Sequence, residues 1–260
     1  MTLNRPVATA VVLAWAVVAS ASAQPSFGPD TVGAPRSGEA GELFLPAGPG
    51  PFPAMIVLHG CNGVAPHYRN WARRLNGWRY AALLVDSFGP RGFREVCGHG
   101  RDVEPAAQAL DGLHAATYLR TRPDIVPSRV GVIGFSHGGW AVMKAVLSDA
   151  VAASDTPPFA AAVAYYPGCE RPTAAMATDT LILIGDADDW TPPPPCLRWT
   201  QAVTRDGHAL DIVVYPGAVH GFDTMAPRHV YVGHQVGGDP AAKADAETRV
   251  RAFLASHLDR

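Results

Sequence analysis

Six apolar runs constrain this chain more than any other feature: residues 54–58, 80–85, 129–133, 159–166, 180–184 and 210–215. Each is bounded by turn residues, the pattern of a strand buried on both faces. Helical stretches separate them at 67–76, 105–120, 138–148, 195–206 and 240–258. In the second of these, Ala106, Ala109, Leu110, Leu113, Ala116, Thr117 and Leu119 make an apolar face, and Pro105 suits its first turn. Strands alternating with helices at this spacing specify an α/β fold, a mostly parallel central sheet with helices on both faces. Residues 42–45 add a plausible edge strand, and no repeat or linker divides the chain. In such sheets ligands bind beyond the carboxyl ends of the strands, so the chemistry should follow the apolar runs.

The amino terminus reads differently. Arg5 is the only charge before the apolar run 7–19, and Ala21-Ser22-Ala23 follows it. A positive start, an apolar segment and a small-x-small site make a secretory signal peptide over 1–23. The run falls short of the ~20 residues a membrane span needs, so no stable membrane anchor is expected after cleavage. That leaves a single domain, 24–260, secreted or periplasmic. The whole chain carries 21 Lys+Arg against 23 Asp+Glu, a formal charge of −2. Without a basic cluster it lacks the footprint of a nucleic-acid binder. Cys61, Cys97, Cys169 and Cys196 are an even number in an oxidising compartment and favour two disulfides among three connectivities. No CxxC or HExxH spacing exists, so no metal and no cofactor is expected.

After residues 130–133 comes Gly134-Phe135-Ser136-His137-Gly138, then a helical segment. This is G-x-S-x-G in the strand–turn–helix context that exposes a serine hydroxyl at the sheet edge and at a helix N-terminus. A nucleophilic serine needs a base and an acid to orient it, in the chain order Ser, Asp/Glu, His. Asp186, Asp188 and Asp189 share the loop after 180–184, and His220 lies past the last strand at the same edge. His229 and His234 lie farther along that loop, His257 lies in the terminal helix, and His208 precedes its strand on the opposite edge. An oxyanion hole needs two backbone donors. His137 N–H supplies one, and Cys61 N–H, in the loop His59-Gly60-Cys61-Asn62-Gly63, is the candidate for the other.

Together these residues resemble the dienelactone hydrolase family of α/β-hydrolases from about residue 53 to 257. The resemblance rests on His59-Gly60, on Asp86-Ser87-Phe88-Gly89-Pro90-Arg91-Gly92, on the turn at Ser136, on Gly185-x-x-Asp188-x-x-x-Pro192, and on Tyr215-Pro216-Gly217-Ala218-x-His220-Gly221-Phe222. It implies the α/β-hydrolase fold and makes Asp188 the orienting acid, with Asp189 its neighbour. Arg91, Trp190 and Phe222 are the candidate substrate contacts, and Arg94 a further possible anion contact. The chain departs from the name-giving enzymes in having Ser136 where they use cysteine, so their substrate is not carried over. In this topology Cys61 and Cys97 follow neighbouring strands, as do Cys169 and Cys196, which implies the pairs Cys61–Cys97 and Cys169–Cys196. The expected activity is a Ser-His-Asp hydrolase of small-molecule carboxylic esters or lactones. A prolyl-oligopeptidase-like peptidase and a non-catalytic binding protein on the same scaffold are the alternatives.

Overall fold

The computed structural model describes Met1, Ser26–Phe27 and residues 39–259. The expected signal segment, its cleavage site and most of the lead-in to the domain lie outside the described residues. The strands are β1 (Ser26–Phe27), β2 (Glu39–Phe44), β3 (Phe52–Leu58), β4 (Ala81–Asp86), β5 (Ile125–Phe135), β6 (Ala162–Tyr165), β7 (Thr180–Gly185), β8 (Leu210–Tyr215), β9 (His229–Tyr231) and β10 (His234–Val236). The helices are α1 (Pro66–Gly77), α2 (Pro105–Arg120), α3 (His137–Ala145), α4 (Ser148–Ser154), α5 (Pro193–Ala202) and α6 (Pro240–Leu258).

Eight strands form one sheet in the order β1-β2-β4-β3-β5-β6-β7-β8. From β4 to β8 every pairing is parallel, and the two antiparallel pairings of the sheet, β1–β2 and β2–β4, both involve β2, the one strand that runs against the others. The apolar runs explain the layering. Side chains alternate across a strand, so a run that is apolar at every position feeds two cores at once. Ile56 and Leu58 of β3 pack with Leu113 and Ala116 of α2 and Ala141 and Val142 of α3. Met55 and Val57 pack on the other face with Trp71 and Leu75 of α1 and Val250 and Leu254 of α6. These side chains are fully buried, and each contributes roughly 1.5–3 kcal/mol for the larger aliphatics.

Helices α2 and α6 begin at Pro105 and Pro240, where a missing N–H costs nothing. Asp239 caps α6 by accepting from the N–H groups of Ala241 and Ala242. Four expectations change. The run 210–215, expected to be buried on both faces, forms the edge strand β8 with Asp211 and Val214 exposed, because among the described residues no strand pairs with its outer side. The helix expected over 195–206 is α5, Pro193–Ala202, because Val203 turns extended. The single helix expected over 138–148 breaks after α3, because Leu147 turns extended and pairs with Met176 before α4 starts. The strand expected over 159–166 is reduced to β6, because Phe159 packs into the core ahead of the ladder.

Register sets the edge where function can lie. Leu58 pairs with both Val85 and Gly134, and Gly185 pairs with Tyr215. The carboxyl ends of β3, β4 and β5 are therefore level, as are those of β7 and β8. Their loops form one rim. Among the described residues, no helix is long and apolar enough to cross a membrane.

Candidate active site

β5 runs into α3 through Ser136, whose φ of 54° and ψ of −112° lie outside the regions open to ordinary side chains. The neighbouring glycines permit this turn. A Cβ on Gly134 would lie 2.1 Å from the carbonyl oxygen of Gly138, and one on Gly138 would lie 2.3 Å from that of Leu58. The Ser136 N–H donates to Tyr165 O at 3.0 Å, which ties the turn to β6.

His220 stands between Ser136 and Asp188. Its Nδ1–H donates to Asp188 Oδ2 at 2.8 Å, and its Nε2 accepts from the Ser136 hydroxyl at 2.9 Å. Asp188 is sequestered, with a side chain that is 0% exposed. Its Oδ1 accepts from the N–H groups of Trp190 (3.0 Å) and Thr191 (2.8 Å), so its second oxygen is fixed toward the imidazole. A hydroxyl with a buried base beside it, and a buried carboxylate behind that base, can deliver an alkoxide-like nucleophile to a carbonyl carbon. The other two acids of the loop do different work. Asp186 accepts from Gly217 N–H at 2.5 Å, and the exposed Asp189 accepts from Gln235 N–H at 3.0 Å.

The two candidate oxyanion donors flank this chain. His137 opens α3, so its N–H has no carbonyl a turn earlier. Cys61 sits in the loop after β3 and lines the site with Ser136. That loop is held by Val96 N–H donating to Cys61 O at 2.7 Å and by the Cys61–Cys97 disulfide. The second disulfide joins Cys169 to Cys196. Both expected pairings are present, and they close loops on either side of Ser136. Each could stabilise the fold by roughly 2–4 kcal/mol.

Trp190 also lies at the site, 5.0 Å from the His220 ring and stacked at 4.8 Å on His234. Two expected contacts do not. Arg91 is drawn inward by a bidentate pair with Asp111 (2.7 and 2.8 Å), its side chain only 6% exposed. Phe222 is fully buried against Tyr165, Tyr166 and Tyr215, so it supports the floor instead of meeting a ligand. Arg94 is exposed and lies outside the lining.

Sequence reasoning missed three features. Thr191 Oγ1 donates to Asp188 Oδ2 or Tyr166 O, both at 3.0 Å, locking the acid loop to β6. The β9–β10 hairpin folds back over His220, with Gly237 N–H donating to His220 O at 3.0 Å. Behind His220, the buried Asp223 accepts from Trp71 Nε1–H and Tyr166 O–H, both at 2.7 Å, and stands 3.0 Å from His67 Nε2. Burial pushes the Asp223 carboxyl up, but the His67 charge and these hydrogen bonds hold it below its ordinary range. A G-x-x-D spacing with a threonine three residues on was the only advance signal for the first. Nothing local signalled the others.

His59 shows how burial tunes this rim. Its Nδ1–H donates to Gly60 O at 2.8 Å, and its Nε2 accepts from Ser87 N–H at 3.2 Å. Desolvation lowers its pKa from 6.5 to about 4, so the folded ring is neutral. Between pH 6.5 and 4 the unfolded chain binds more protons at this site, so stability here rises with pH and is lost on acidification. The melting temperature should fall between pH 6.5 and 4.5, and a His59→Gln variant should show a shallower fall. Equal slopes in the two proteins would contradict a neutral buried His59.

The sheet order, the strained serine turn and the histidine after the last strand define an α/β-hydrolase. The chain belongs to the dienelactone hydrolase family, whose family model matches residues 40–258. It is 27% identical over 235 residues (84% of this chain, 92% of the relative) to a protein of Synechocystis sp. provisionally named carboxymethylenebutenolidase. Among solved structures, a provisionally named dienelactone hydrolase of Klebsiella pneumoniae superposes with a TM-score of 0.68 at 22% identity, over 90% of this chain and 98% of that one. A dienelactone hydrolase-like promiscuous phosphotriesterase from metagenomic libraries superposes with a TM-score of 0.66 at 23% identity, over 85% and 94%.

Proposed function

We propose that this protein is an exported serine hydrolase that cleaves small-molecule carboxylic esters or lactones through an acyl-enzyme. The observation that carries the proposal is the hydrogen-bonded chain from Ser136 Oγ through His220 to Asp188, open to a cavity on either side. Ser136 Oγ attacks the substrate carbonyl carbon while His220 Nε2 takes its proton. The negative charge that develops on the carbonyl oxygen is received by the N–H groups of His137 and Cys61. His220 then returns the proton to the departing alcohol, and the same base activates water to release the acid. Asp188 keeps Nδ1 protonated, so that Nε2 faces the serine with its lone pair. Export is supported by the leader pattern over 1–23 and by the two disulfides, which persist in oxidising compartments. A panel of p-nitrophenyl esters, lactones and dipeptide amides tests the reaction class. Turnover of esters or lactones is the expected result, and turnover confined to the amides would overturn it.

A further inference from the structure

Ser136 sits on a ridge between two lobes of the site. One lobe, about 440 Å³, is walled by Trp140, Pro167 and Pro195, while the Cys61–Cys97 disulfide borders both lobes. The other, about 370 Å³, is walled by Tyr68, Tyr166 and Tyr231 and carries His220. The two have different chemical duties. His220 must hand its proton to the departing alcohol, and it borders only the second lobe. The alcohol therefore leaves through the tyrosine-lined lobe, and the acyl chain stays in the first.

The charge in the acyl lobe is specific. Among the described residues, its lining includes no lysine or arginine, and its single carboxylate is Glu170. The two cations that contact Glu170 are already engaged. Lys144 Nζ pairs with Glu170 Oε2 at 2.5 Å, and Arg101 is shared between Glu170 and Glu104 while lying over the Trp140 ring. His137 also borders this lobe, but its ring nitrogens face Gln108 Oε1 and the carbonyls of Gly100 and Val103, and burial pushes its pKa down. An acyl chain ending in a carboxylate would exchange water for the walls of Trp140, Pro167 and Pro195, meet Glu170, and find Lys144 and Arg101 already engaged. An unpaired charge in such a place is strongly disfavoured, and specificity built on repulsion follows.

We propose that the enzyme selects uncharged acyl chains and discriminates against those bearing a free carboxylate, with Glu170 as the discriminating residue. This rests on the serine-hydrolase reading above. The test compares two p-nitrophenyl esters of glutaric acid, one with its far end free and one with it methyl-capped. They share a leaving group and chain length and differ in one charge. kcat/KM should be on the order of 10²-fold lower for the free acid at low ionic strength. Glu170→Gln, which removes the carboxylate and releases Lys144 and Arg101, should narrow that gap about ten-fold, read as the ratio of the two kcat/KM values within each protein. Equal or faster hydrolysis of the free acid would overturn the proposal but leave the hydrolase reading standing. A gap that Glu170→Gln leaves untouched would overturn the placement of the acyl chain in this lobe. Turnover of neither ester, together with an unreactive Ser136, would overturn the hydrolase reading and this inference with it.

Discussion

Replacing Ser136 by alanine should lower kcat for ester hydrolysis on the order of 10⁶-fold, the loss that follows removal of a nucleophile from such a constellation. The fold should survive. Gly134 and Gly138 already make room for the strained turn, and alanine is smaller than serine. The two hydrogen bonds of the turn's backbone, Ser136 N–H to Tyr165 O and Trp140 N–H to Ser136 O, do not involve the side chain. Circular dichroism and melting temperature should therefore match the parent while turnover disappears. A purified Ser136→Ala protein that retained near-parental turnover would place the chemistry elsewhere.

Asp188→Asn should cost roughly 10⁴-fold in kcat, because the amide favours the imidazole tautomer that turns an N–H toward the serine. Asp189→Asn should change kcat only a few-fold. The two acids are adjacent in sequence, but they serve different partners. Asp188 is sealed from solvent and fastened by Trp190, Thr191 and His220. Asp189 is half exposed and anchors the β9–β10 hairpin through Gln235 N–H. Steady-state kinetics of the two variants side by side separate these roles. A larger loss at Asp189 would reverse the assignment of the acid.

The parts of the fold that could be read in advance are those where one physical requirement repeats along the chain. Residues 54–58 are apolar at every position because β3 is covered on both faces, and that is visible without coordinates. Prolines at positions 105 and 240 mark helix starts for a local reason, and α2 and α6 begin there. Ser136, Asp188 and His220 could be named because each follows an apolar run that forms a strand, and parallel strands deliver their carboxyl ends to one edge. Tertiary partners decide the rest. Arg91 reads as a free cation until Asp111, twenty residues on along α2, draws it inward. Phe222 reads as a rim residue until Tyr165, Tyr166 and Tyr215 enclose it. The hairpin of β9 and β10 is three residues a side, too short to show an alternating pattern. Its place over His220 depends on contacts such as Gln235 with Asp189, which no local spacing announces.

The central claim is that Ser136 is activated by His220 as a nucleophile. Incubation with a fluorophosphonate followed by peptide mass spectrometry tests it directly, since the reagent stands in for the carbonyl and traps the serine covalently. The account predicts one adduct per chain, mapped to the peptide carrying Ser136, absent from Ser136→Ala and formed far more slowly in His220→Ala. An adduct on a different residue, or an unmodified Ser136 in folded protein, would contradict it.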